Sequence, residues 1–208
     1  MPIRAVIFDI GGVLEMTPET GWEDRWAIEL GLERAELSRR LEPLWSPGAM
    51  GAVTLTEVER ETAEVLGLGG ARLSALMDDI WNEYLGTLNE ELARYFSALR
   101  PRYRTGILSN SFVGARERER AAYGFEEMCD LIVYSHEEGL QKPDPRAYRL
   151  TCERLGVAPR EAVFLDDREA NVDGARAVGM AAVRFVDNAQ AIAELGTQLF
   201  GGQPDALP

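Results

Sequence analysis

The chain has 208 residues, a net charge of −13 and 46% hydrophobic residues. That length suits one domain, or one domain carrying an insert, and the apolar share is enough for a sizeable core. Its Lys and Arg residues are scattered rather than massed, which argues against a broad nucleic-acid face or an anionic membrane surface as partner.

The chain opens as Met1-Pro2-Ile3-Arg4, with no signal-like h-region, and contains no apolar run near the roughly 20 residues of a membrane span. A cytoplasmic protein is expected. The first element is an apolar run over Ile3–Phe8, read as a buried parallel strand ending at Asp9. A long stretch without strand signal follows. Trp22, Trp26 and Leu30 share one helix face, and Leu37, Leu41 and Trp45 another. Thr56 and Glu59 have capping-box spacing ahead of Val58, Thr62, Val65 and Leu66. A fourth helix carries Leu73, Met77, Ile80, Trp81 and Tyr84, with Gly48–Gly51 and Gly67–Gly70 as loops and Gly86 as a hinge. Residues 16–86 therefore read as an all-helical insert, too long for an ordinary crossover.

Beyond it, apolar runs at Arg104–Leu108, Leu131–Tyr134, Ala162–Leu165 and, more weakly, Ala181–Val186 alternate with helical patterns. Asn89 is placed to cap a helix that Pro101 stops, Asp144-Pro145 starts another, and Gly179 closes the one beginning near Glu169. The expected architecture is α/β: a Rossmann-like parallel sheet core built from 1–15 and 87–200, an inserted helical domain, and a flexible tail over 201–208. Cys129 and Cys152 are too few for a disulfide framework, and the single His136 cannot complete a zinc set. Cys152, on one helical face with Tyr148 and Leu155, reads as a small buried hydrophobe.

Polar residues end three of the apolar runs: Asp9, then Ser109 and Asn110, then Asp166 and Asp167. If these strands are parallel neighbours, their carboxyl ends share the edge where α/β sheets bind ligands. Three carboxylates there would repel one another unless a cation joined them, and an all-oxygen ligand set suits Mg²⁺.

These segments resemble the haloacid dehalogenase (HAD) superfamily over nearly the whole chain. The resemblance rests on four motifs in order: Phe8-Asp9-Ile10-Gly11-Gly12-Val13-Leu14; Leu108-Ser109-Asn110; Gln141-Lys142-Pro143-Asp144-Pro145 with Tyr148; and Phe164-Leu165-Asp166-Asp167 continuing through Asn171, Val172, Gly174 and Ala175 to Gly179-Met180. The helical insert is similar to the family's first type of cap. The resemblance implies a phosphatase that acts on a small, sugar-phosphate-like monoester through an aspartyl-phosphate on Asp9. It implies catalytic roles for Asp9, Lys142 and Ser109. Phosphate would be bound by Ser109, Asn110, Gly11, Gly12 and Lys142, and Mg²⁺ by Asp9, the Gly11 carbonyl, Asp166 and Asp167. Lys142 would also orient Asp9; read without the family, it is an exposed loop lysine.

One position departs from the family's phosphatases, which usually carry a second Asp where this chain has Gly11. A proton transfer typically worth about 10²–10⁴ in rate then lacks an obvious agent, so turnover should be slow and favour good leaving groups. Glu15 is near enough to substitute, although a solvated flap residue is the plainer reading. Two alternatives follow: a metal-free 2-haloacid dehalogenase using the same Asp9, against which the Asp166-Asp167 pair argues, and a weakly active regulatory module. Trp22, Arg25, Trp26 and Trp45 either line the site or form the insert's core, the latter favoured. Arg168 reads as a phosphate contact or a surface residue, His136, Glu137 and Glu138 as a polar loop, and Tyr134 and Tyr148 as core. Oligomeric state is left open.

Overall fold

The computed structural model describes residues 2–201. In chain order the elements are β1 (Ala5–Phe8), β2 (Glu15–Met16), α1 (Trp22–Leu30), α2 (Arg34–Ala49), α3 (Leu55–Leu66), α4 (Gly70–Leu85), β3 (Thr87–Leu88), α5 (Glu90–Leu99), β4 (Arg104–Ser109), α6 (Ala115–Tyr123), α7 (Phe125–Met128), β5 (Leu131–Tyr134) and α8 (Ser135–Glu138). They continue with α9 (Pro145–Leu155), a 3₁₀ turn (Pro159–Glu161), β6 (Ala162–Asp166), α10 (Glu169–Ala177), β7 (Ala181–Arg184) and α11 (Asn188–Phe200). The five expected strands all form, each within two residues of the apolar run that announced it. They make one parallel sheet in the order β5-β4-β1-β6-β7.

Strand periodicity sorts the sheet's two faces. Val6 and Phe8 point to one side, where Leu92 and Phe96 of α5 and Leu195 of α11 cover them. Phe8 stacks on Phe96 with ring centroids 4.5 Å apart. Ala5 and Ile7 point to the other side, against Tyr148 and Cys152 of α9 and Ala175 of α10. Helices therefore cover both faces, as continuous apolar strands require. The chain runs from β1 outward to β4 and β5, then returns to β6 on the other flank of β1. The strand order thus reverses between β1 and β6, a crevice that leaves the strands' carboxyl ends open to ligand.

Helices α1–α4 occupy the insert and pack around their own cluster, with Trp22, Trp26, Leu37, Leu41 and Leu76 buried in it. The segment leaves and rejoins the sheet unit through a short antiparallel ribbon, β2 against β3, that two residues per strand did not signal. Gly86, at the exit, needs to be glycine: a Cβ there would meet the Met16 carbonyl oxygen at 2.3 Å.

Several local expectations are corrected. The capping box forms at Thr54 and Glu57, where the Thr54 hydroxyl accepts from the Glu57 N–H and the Glu57 carboxylate accepts from the Thr54 N–H. The expected cap, Thr56, lies inside α3 as its second residue, two positions too late. Gly48 belongs to the last turn of α2 rather than to a loop. Asn89 and Asp144 cap α5 and α9 as expected. Gly201 caps α11, and the rest of the expected tail, 202–208, lies outside the described residues. Among the described residues no helix is long and apolar enough to cross a membrane.

Candidate active site

The loop after β1 turns tightly on itself. The Ile10 carbonyl accepts from the N–H groups of Val13, Leu14 and Glu15, and the Gly12 N–H donates to the Glu15 carbonyl at 2.7 Å. This aims the Asp9 side chain along the switch-point crevice, where it is 6% exposed. Asp9 Oδ1 accepts from its neighbour's Ile10 N–H at 2.8 Å and from Lys142 Nζ at 2.6 Å. Among the described residues, none donates to Oδ2.

Lys142 is buried, not the exposed loop lysine that local sequence suggested. Its ammonium also contacts Asp166 Oδ2 at 2.8 Å. Its backbone is clamped by the Asn110 amide, which donates to the Lys142 carbonyl at 2.9 Å and accepts from the Lys142 N–H at 2.7 Å. Lys142 is the chain's only lysine among 22 Lys and Arg residues. The compact ammonium fits between two carboxylates where a planar guanidinium would demand more room; the motif that set Lys142 beside Asp9 was the sequence signal for this place.

Asp166 is saturated. Oδ1 accepts from the Arg168 N–H at 2.9 Å and from Asn171 Nδ2 at 3.0 Å, while Oδ2 takes Lys142 and, at 3.1 Å, the same Asn171 amide. Asn171 is held in turn by Tyr148, whose hydroxyl donates to its carbonyl at 2.8 Å. Asn171 appeared in the motif without a role. Its place on the first turn of α10, five residues after Asp166, was the signal that it could reach back. Arg168 contributes its backbone here; as the residue before α10 it presents its N–H to Asp166.

Asp167 completes a group of three carboxylates whose nearest ligand oxygens lie within 4.8 Å of one another. Burial, and then the charge of Asp166, raises the Asp167 carboxyl above its usual range. Burial also raises Asp9 to about 7, with Lys142 pulling it down and Asp166 pushing it up. Three carboxylates share one ammonium, so the crevice carries an excess of two negative charges when all are ionised. A divalent cation of small radius fits that excess and that all-oxygen donor set. Both oxygens of Asp166 are already engaged in hydrogen bonds, whereas Oδ2 of Asp9 is not.

The two glycines after Asp9 differ. A Cβ on Gly12 would lie 2.6 Å from Asp167 Oδ2, and its φ is +74°. With its N–H bonded to Glu15, Gly12 is removed from the expected phosphate donors; what it supplies is close approach. Gly11 has open space where a Cβ would be, and its carbonyl accepts no backbone hydrogen bond among the described residues.

Ser109 sits buried at the carboxyl end of β4, and Asn110's side chain is spent on Lys142. The next residue is anchored twice: the Ser111 N–H donates to Ser135 Oγ at 2.9 Å, and its hydroxyl lies 2.6 Å from His136 Nδ1. His136 and its neighbours form one helical turn, α8, with Glu137 paired to Arg116 and Glu138 to Arg154. Glu15 is not a solvated flap residue. It is 1% exposed, its Oε1 has no hydrogen-bond partner, and burial, Glu119 and Asp9 together raise its carboxyl to about 10. Of the tryptophans, Trp22 and Trp26 are core of the helical segment while Trp45 reaches a cavity beside the site. Arg25 is half exposed and pairs with Asp79.

Comparison with known proteins fits this arrangement. A family model described as haloacid dehalogenase-like hydrolase matches residues 3–179. The chain belongs to that family. This hydrolase is 30% identical to Phosphatase MT3486 of Mycobacterium tuberculosis (strain CDC 1551 / Oshkosh) over 194 residues, 88% of this chain and 87% of that protein. It is 32% identical to (S)-2-haloacid dehalogenase 1 of Pseudomonas sp. (strain CBS-3) over 200 residues, 88% of this chain and 85% of that one. Against the mouse Acyl-CoA dehydrogenase family member 10 it is 29% identical but spans only 20% of that protein's length. Its fold is shared with the HAD family enzyme bt-2542 of Bacteroides thetaiotaomicron, solved with magnesium and inorganic phosphate. The TM-score is 0.78 at 21% identity, covering 91% of this chain and 98% of that one.

Proposed function

We propose that the hydrolase is a Mg²⁺-dependent phosphomonoesterase acting on a small phosphorylated metabolite, with Asp9 as nucleophile. The observation that carries this reading is the Asp9–Lys142–Asp166 chain of contacts with Asp167 beside it, three carboxylates served by one buried ammonium. The relative named as a phosphatase supports it. In the first step an Asp9 carboxylate oxygen forms a bond to phosphorus while the bond from phosphorus to the ester oxygen breaks. That oxygen leaves with the electron pair and takes its proton from water, since Gly11 offers none. In the second step a water attacks phosphorus, the acyl-phosphate bond breaks, and inorganic phosphate departs with Asp9 restored. Lys142 holds Asp9 and balances charge on the phosphoryl oxygens. The Ser109 hydroxyl and the Asn110 N–H bind phosphate, while the Ser111 N–H is held by Ser135. Asp9, Asp167 and the Gly11 carbonyl, with Asp166 behind them, would hold Mg²⁺, which would supply charge neutralisation between nucleophile and phosphate. Helices α1–α4, from 16 to 86, act as the cap over the core of 1–15 and 87–200.

Asp9→Asn should abolish both turnover and formation of an acid-stable phosphoenzyme with a phosphate ester in Mg²⁺; retained activity ends the proposal. A second reading, 2-haloacid dehalogenation, is favoured by the dehalogenase relative. Halide release that persists in chelator would establish it instead.

A further inference from the structure

An apolar cavity of about 270 Å³ opens directly beside the phosphate end of the site. Its inner wall is Asn110 and Ser111, the residues that follow Ser109 out of β4. Its other walls are aromatic and aliphatic: Trp45 from α2, Ile80, Trp81 and Tyr84 from α4, and Phe112. The rings brace one another, with Phe112 centred 6.5 Å from Trp45 and 6.2 Å from Trp81, and Tyr84 5.2 Å from Trp81. Gly48 lets Phe112 close in, since a Cβ there would come within 2.6 Å of the ring.

Apart from the buried indole N–H groups of Trp45 and Trp81, which have no partner, the polar side chains that follow β4 in this wall are already committed. The Asn110 amide serves the Lys142 backbone, and the Ser111 hydroxyl faces His136. A sugar or polyol entering here would lose water from its hydroxyls and find few replacement partners, at a cost for each buried group. A hydrocarbon would lose nothing. The volume equals that of roughly nine water-sized groups, enough for an arene or a medium alkyl chain.

Resting on the phosphomonoesterase reading, we propose that the organic part of the substrate is apolar, an aryl or hydrocarbon alcohol rather than a polyol. Its phosphate sits at Asp9 and Lys142, and its hydrocarbon lies between α4 and Phe112.

The test separates this from the parent reading. Hydrolysis of phenyl, 4-ethylphenyl and 4-butylphenyl phosphates in Mg²⁺ keeps the leaving group's acidity nearly constant while the apolar part grows. In parallel, calorimetry measures binding of ethyl-, butyl- and hexylphosphonate, which cannot be hydrolysed, and of 3,4-dihydroxybutylphosphonate. Each methylene should raise kcat/KM and tighten phosphonate Kd about threefold until the cavity fills. The dihydroxylated analogue should bind at least tenfold more weakly than butylphosphonate. Phe112→Ala should move the optimum to longer chains and Ile80→Phe to shorter ones, so either variant serves if the other fails to fold. Hydrolysis with no dependence on chain length, or tighter binding of the dihydroxylated analogue, overturns the apolar assignment and leaves the phosphomonoesterase standing. No hydrolysis of any ester sinks the parent reading, and the phosphonate series then decides the cavity alone: a flat series refutes it, and a rising one retains it.

Discussion

Glu15 offers the sharpest test of the electrostatics around the nucleophile. Its carboxyl is buried with an unpartnered oxygen and is raised to about 10 from its usual 4.5, first by burial, then by Glu119 and Asp9. Glu119 is itself raised to about 7 by burial, despite a hydrogen bond of 2.5 Å from the Tyr134 hydroxyl. At neutral pH the folded protein therefore keeps a proton on Glu15 that the unfolded chain has lost. Because the folded state binds more protons, stability falls as pH rises: the contribution is whole below 4.5 and is lost progressively up to about 10. The slope for one such group is about 1.4 kcal/mol per pH unit, or about 4 kcal/mol between pH 5.5 and 8.5. Glu15→Gln keeps the shape and cannot ionise. Urea unfolding of both proteins at pH 5.5, 7.0 and 8.5 should show wild type losing about 4 kcal/mol relative to the variant, with the variant more stable at pH 8.5. The slope from Glu119 is present in both and cancels in the difference. Parallel stability curves, within about 0.5 kcal/mol across this range, would refute the argument.

Gly11→Asp has room for its side chain and should raise kcat on an alkyl phosphate at least about tenfold, the lower reach of general acid-base catalysis; an unchanged rate shows that proton transfer does not limit turnover. Mg²⁺ must displace the proton that burial keeps on Asp9 up to about 7, so its Kd by calorimetry should tighten by up to about tenfold between pH 6 and 7 and level off above 8. A Kd that does not change over that range contradicts the shared carboxylate site. Thr54→Ala should cost about 1 kcal/mol in urea unfolding because it removes the α3 cap, while Thr56→Ala, at the second residue of the helix, should change stability by only a few tenths.

Local sequence was enough for the sheet and for one edge of the site. Apolar runs such as Ala162–Leu165 form strands because a strand buried on both faces must be apolar throughout, and the polar residue ending each run marks where the chain leaves the core. Asp9, Ser109 and Asp166 were legible for that reason. Periodicity likewise showed the faces of α1 to α4, though not the start of α3, which the Thr54 cap sets two residues ahead of the expected Thr56. What periodicity does not encode is which distant side chain arrives opposite a given one. The burial of Lys142 between Asp9 and Asp166, the raised carboxyl of Glu15 beside Glu119 of α6, and the meeting of Phe112 with α2 and α4 were decided only by the tertiary structure. Desolvation and Coulomb energy depend on distances summed in three dimensions over segments far apart in the chain, so no window of sequence contains them.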